Sequence, residues 1–162
     1  MNVTTDMVDV PAYLQQWERV IRWYGRFKEI SERKNISQSS SSDEDDVFAF
    51  FLNCYHLKDW IKNDPSANQM TDKVESFINK SPSLSICADL CNGLKHLTLD
   101  KSRSGKNPRF GEKTQRVYYH QAPIVVCQGY TIVAGTKTFD AFDVAWQCMT
   151  DWHRFIYLKG ES

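Results

Sequence analysis

The chain has no surplus of charge of either sign: 20 basic and 20 acidic side chains cancel over 162 residues. That balance gives no electrostatic footprint for a general nucleic-acid coat protein, although a local basic patch stays open. No apolar run approaches the ~20 residues that a membrane span needs, so no membrane partner is expected. Residues 1–6 carry neither a basic nor an apolar leader pattern, and a reducing, cytoplasmic location is expected. The five cysteines include no pair at Cys-x-x-Cys spacing, which argues against a zinc site. Cys87 and Cys91, four apart, read as small apolar helix residues. Missing too are a Gly-x-x-x-x-Gly-Lys phosphate cradle, a Gly-x-Ser-x-Gly elbow and the Glu-x-x-His pair of a bundle metal centre. Neither a metal nor another cofactor is therefore expected.

What is present suits a helical core. Hydrophobic residues make up 41% and aromatics 13%, enough for one packed domain, 1–162, without staples. Leu14, Trp17, Val20, Ile21, Tyr24, Phe27 and Ile30 recur every three or four positions and predict a helix over 11–34, with Pro11 in its first turn. The Ser- and Asp-rich stretch 35–46 reads as a polar linker. A second helix is predicted over 46–63, closed by Asp64-Pro65, and a shorter one over 66–79. After a break at 80–83 comes a helix running to about Leu99. Residues 100–114 read as a basic loop. The β-branched and aromatic runs within 115–135 read as two or three short strands. Residues 135–138 then turn into a last helix, in which Phe139, Phe142, Ala145, Trp146, Met149, Trp152, Phe155 and Ile156 keep helical spacing. The fold class is thus mainly α: a four- to five-helix up-and-down bundle with a small antiparallel β-hairpin inserted before the last helix. Such a hairpin is marginal alone and must lean on the bundle.

One helix carries an unusual polar set. In Ser85-Ile86-Cys87-Ala88-Asp89-Leu90-Cys91-Asn92-Gly93-Leu94-Lys95-His96-Leu97, the residues Asp89, Asn92 and His96 fall at i, i+3 and i+7, with Lys95 beside them. An imidazole near its free pKa can give or take a proton at neutral pH. An amide can orient a substrate, and a lysine can balance phosphate charge. Asn92, Lys95 and His96 could act together on a phosphodiester whose 2′-hydroxyl is the nucleophile, without a metal. The plainer alternative is that Asn92 and His96 bond each other or a neighbouring helix. Gly93 costs about 1 kcal/mol against alanine inside a helix and implies close approach of another helix or a ligand. On the preceding long helix, His56 and Asp59 are i, i+3 neighbours, expected to pair. The basic loop supplies Lys101, Arg103, Lys106 and Arg109 as candidate phosphate contacts, the alternative being a solvated loop.

Asn92-Gly93-Leu94-Lys95-His96, late in a helix and after an earlier helix with polar residues, resembles the HEPN superfamily of small helical bundles. The segment His56-Leu57-Lys58-Asp59-Trp60 followed by Asn-x-x-Lys-His also resembles a bacterial group to which no activity is attached. The HEPN resemblance implies a metal-independent RNase or RNA-binding protein, often a toxin or part of phage defence, working as a homodimer. It implies His96 as acid/base and Asn92 as orienting group. The family's usual arginine position holds Cys91 here, so Lys95 would have to supply the phosphate contact, with Asp89, His56 and Asp59 in support. Two readings stay open: an RNA-binding or RNA-cleaving protein, and a non-catalytic module that dimerises or binds a protein partner.

Overall fold

A computed structural model describes residues 9–33, 41–96, 101–118 and 125–158. The side chains of His96, Arg116, Tyr118, Val125 and Val126 lie outside that description. The order is α1 (Ala12–Glu32), α2 (Ser41–Asn63), a 3-10 turn (Pro65–Ala67), α3 (Asn68–Thr71), α4 (Val74–Lys80) and α5 (Pro82–His96). Then come β1 (Arg109–Phe110), β2 (Thr114–Tyr118), β3 (Val125–Gly129), β4 (Thr131–Ala134), β5 (Lys137–Asp140) and α6 (Ala141–Tyr157). The chain is mainly helical, with its small antiparallel strand region just before the last helix.

The apolar stripe of α1 buries Trp17, Val20, Phe27 and Ile30, most extensively against α2. The helical hairpin is fastened at both ends. At one end Arg33 reaches Asp43 at 3.2 Å. At the other, Asp64 accepts from the Tyr13 amide at 3.0 Å, satisfying one of the free N–H groups that open α1. The hydroxyl of Ser66, with the Tyr13 amide, holds the Asp64 carboxyl below its usual range.

α2 begins at Ser41, inside the stretch read as a linker. Asp43 and Glu44 sit in its first turn, where the helix dipole favours acids, and the buried Asp43 gains Arg33 as partner. Residues 34–40 of that linker lie outside the description. The helix predicted over 66–79 is divided in three, and the Thr71 hydroxyl bonds back to the Ala67 carbonyl at 3.3 Å where α3 ends.

α2 also packs on α3, α4 and α5, while α5 packs on α4 and α6. The strands are more numerous than expected. One sheet has the order β1-β4-β5, and β2 pairs with β3 in a second, all antiparallel. Strand β1 lies inside the stretch read as loop, and β5 where a turn was expected. Ala134 faces Lys137 across a tight turn at Gly135, whose φ of +62° suits glycine. Asp140 ends β5 and caps α6, accepting from the amides of Phe142 and Asp143 at 2.9 and 3.1 Å. The sheet does lean on the helices. Ile132 is fully buried, and the Phe110 ring lies 4.5 Å from Phe48 and 5.8 Å from Phe51.

Candidate functional site

Two helices set the site. On α2, Leu52, Tyr55, His56 and Asp59 share one flank at helical spacing. On α5, Cys91, Asn92, Leu94 and Lys95 do the same. These eight residues and Lys58 line one groove of about 510 Å³. The structure therefore brings together four residues singled out in the sequence: His56, Asp59, Asn92 and Lys95. His56 and Lys95 are exposed and Asn92 is half-buried. Among the described residues none of these three has a hydrogen-bond or ion-pair partner; the His56 ring lies 6.2 Å from the Tyr55 ring between centroids. Among the described residues their polar atoms are therefore available to a ligand. The backbone of α5 ends at His96, whose side chain lies outside the description, so its expected role rests on the sequence alone.

The spacing of His56 and Asp59 suggested a pair that the described residues do not make. The Asp59 carboxylate instead lies 3.8 Å from the Lys58 ammonium. Lys58 was not singled out in the sequence, yet it sits in the floor of the groove, 9% exposed. Its Nζ stands 4.7 Å over the Tyr55 ring and 3.3 Å from Glu75. Burial works against the charge on Lys58, but Tyr55 and the carboxylates of Glu75 and Asp59 outweigh it and raise its pKa. Only the i, i+3 spacing of Tyr55 and Lys58 hinted at this contact. Glu75 gave no sequence signal, because its partners come from two separate segments, α2 and the basic loop.

Glu75 ties the site to the basic loop. It accepts from Lys58 at 3.3 Å, Lys62 at 3.2 Å and Arg103 at 2.8 Å. Burial raises its pKa, but the bonds from Arg103 and Lys62 and the charge of Lys58 win, lowering it to about 2 from 4.5. A carboxylate lowered in the folded state adds stability above its unfolded pKa and loses it as pH falls through the folded one. The stability difference between wild type and Glu75→Gln is therefore expected to be constant above pH 4.5 and to vanish progressively between pH 4.5 and about 2. About a third of the side chain meets solvent, so the plateau is expected at roughly 1–2 kcal/mol. Urea unfolding of both proteins across that pH range checks it.

Asp89 does not join the groove. It is fully buried and accepts from Ser102 Oγ at 2.8 Å, the Arg103 amide at 2.6 Å, and the Ser104 amide and hydroxyl, both at 2.7 Å. Successive helical residues turn by about 100°, so Asn92 is rotated from Asp89 by roughly 60°. That rotation is enough to put one in the groove and the other under the loop. Asp89 is an anchor, and the loop it holds is built rather than merely solvated.

The four basic candidates separate. Arg103 is taken up by Glu75 and by Asn79 at 3.1 Å. Lys106 borders a different cleft, facing Lys137. Lys101 is exposed and borders neither groove. Arg109 lines a cleft of about 430 Å³ that shares Leu94 with the main groove. Gly93 lines that second cleft, and a methyl group added there would meet nothing within 4 Å. Among the described residues no helix makes the close approach expected at Gly93, and the glycine borders the cleft. Cys91, where the resemblance expects an arginine, is 2% exposed.

No helix among the described residues is long and apolar enough to cross a membrane. Compared with protein-family models, curated proteins and solved structures, the chain matches none significantly.

Proposed function

We propose that the groove between α2 and α5 binds RNA, and that the protein is an HEPN-like, metal-independent ribonuclease. The observation that carries this reading is the meeting of His56, Asn92 and Lys95, unpaired among the described residues, in one groove at the end of the helix that bears His96. A phosphodiester held there would find an ammonium to balance its charge and an amide to orient it. An imidazole can take the proton of the attacking 2′-hydroxyl, and a second can give one to the leaving oxygen. His56 lines the groove, and His96 ends the helix that borders it. Lys95 stands in for the charge that Cys91 does not supply. Arg109, in the adjoining cleft, extends the basic track for a longer strand. The family resemblance adds a homodimer and a role as a toxin or in defence to this proposal.

The test is incubation of the purified protein with total cellular RNA in excess EDTA. Wild type is expected to cleave, and His96→Ala to lose at least ~100-fold in rate, the usual contribution of a general acid or base. Lys95→Ala is expected to bind RNA more weakly and with a shallower salt dependence. Cleavage unchanged in His96→Ala removes His96 from the mechanism.

A second reading rests on Leu94, 40% exposed at the seam between the two clefts, and on Trp146, 56% exposed. These apolar groups suit a non-catalytic module that dimerises or holds a protein partner. Neither RNA cleavage nor RNA binding by wild type would favour this reading. A dimer in light scattering that Leu94→Glu dissociates would support it.

A further inference from the structure

Three of the five cysteines, far apart in sequence, meet in the core. Cys54 comes from α2, Cys87 from α5 and Cys148 from α6, and their sulfurs all lie within 4.8 Å of one another. Cys54 and Cys148 are fully enclosed, and Cys87 is 1% exposed. None is in a disulfide. Among the described residues no imidazole or carboxylate completes the set. The Cys87 thiol donates to the Phe51 carbonyl at 3.4 Å, and the Trp152 indole donates to the Cys54 carbonyl at 3.1 Å. The three thiols also hydrogen-bond one another, and the Trp152 indole reaches the Cys54 sulfur as well.

A ligand for this place must meet three conditions. All-sulfur donors select a soft centre over an oxygen-seeking ion. Three donors supply one bond fewer than the four of a closed zinc site. The last condition is charge, which is costly to leave uncompensated in an interior. All three cysteines are buried, so any net charge on the complex would stay in the interior. Three thiolates around a monovalent copper ion carry a double negative charge, and around a divalent zinc ion a single one. Around trivalent arsenic they carry none.

We propose that Cys54, Cys87 and Cys148 form a three-sulfur binding site for a soft trivalent centre of the arsenite class. Three thiols react with one arsenous acid. Three arsenic–sulfur bonds replace three arsenic–oxygen bonds, each thiol proton leaves on a hydroxide, and three waters depart. Arsenic stays trivalent throughout, so no oxidant or reductant enters. With sulfur bonds of about 2.3 Å, as for a metal thiolate, and the pyramidal shape that the arsenic lone pair imposes, the sulfurs stand roughly 3.5 Å apart. Side-chain adjustment of about 1.3 Å or less closes the set to that size. The site is independent of the groove, and its failure would leave the RNA proposal untouched.

The experiment is native mass spectrometry of the full chain with sodium arsenite in excess reduced glutathione. The expected adduct is one arsenic per chain with three protons lost. Cys54→Ala and Cys148→Ala are expected to lose it, while Cys127→Ala, altered in β3 away from the cluster, keeps it. X-ray absorption at the arsenic edge on wild type needs no variant to fold and is expected to count three sulfur neighbours. No adduct, an adduct retained in Cys148→Ala, or an arsenic with oxygen in its coordination shell would overturn the proposal. Stoichiometric displacement of the arsenic by Cu(I) would overturn the charge argument behind it.

Discussion

Asp89→Ala is expected to destabilise the protein by about 3 kcal/mol and to free the loop that follows α5. The carboxylate is fully buried and answers four donors, two of them backbone amides. Each donor stranded in a partly buried place costs ~1–3 kcal/mol, less where water can reach it. The loop can swing outward and hydrate, which keeps the total below the sum. Asp89→Asn preserves the shape but turns an NH2 toward donors, and is expected to fall between the two. Urea unfolding gives the stability. Amide exchange of Arg103 and Ser104 gives the local effect, and both amides are expected to exchange far faster in the alanine variant. Unchanged exchange there would mean that Arg103, through Glu75, holds the loop without Asp89.

A still larger loss, about 4 kcal/mol, is expected for Trp152→Ala. The ring is wholly buried, 6.4 Å from Phe77 and 5.9 Å from Phe155 between centroids. Emptying a site of that size costs ~3–5 kcal/mol, because the surrounding helices relax only in part. Trp152→Phe separates two contributions. It keeps much of the packing but drops the indole bond to the Cys54 carbonyl, and is expected to cost less than half as much. Chemical unfolding of the three proteins, read by far-UV circular dichroism, gives the comparison directly.

The helices were legible because their apolar residues repeat at the helical period. Trp17, Val20, Phe27 and Ile30 lie in the core of α1 as their spacing requires. The start of α2 was hidden because serines and aspartates read as linker. The helix dipole suits Asp43 in the first turn, but its burial also draws on Arg33 from α1, and that is a tertiary fact. Strand β5 was hidden because Lys137-Thr138-Phe139-Asp140 is short and its last residue is also a helix cap. In the site, His56, Asn92 and Lys95 could be selected by residue type, and the crossing of two helices places them in one groove. Asp89 could not be told from its neighbours on that stripe, since its partners lie 13 to 15 residues further on. The Glu75 cluster and the three cysteines join distant segments, and no local pattern marks either of them.

The helical hairpin fastened at both ends has a kinetic meaning. Contacts between α1 and α2 join neighbouring segments, and Arg33 reaches a partner only 10 residues away. Closing so short a loop costs little chain entropy, so this pair can form early. The bond from Trp152 to Cys54 spans 98 residues and has to wait until α6 arrives. Between those two moments the chain would be a docked helix pair with an open flank, and the β1-β4-β5 sheet settles only as α5 and α6 arrive, because β1 rests on α5 and β5 on α6. Cys54 and the groove-facing side of α2 belong to that early half, α5 completes the groove when it packs on α2, and Cys148 on α6 completes the sulfur cluster last. The order of folding thus runs from scaffold to sites, and the sulfur cluster does not exist until the last helix has docked.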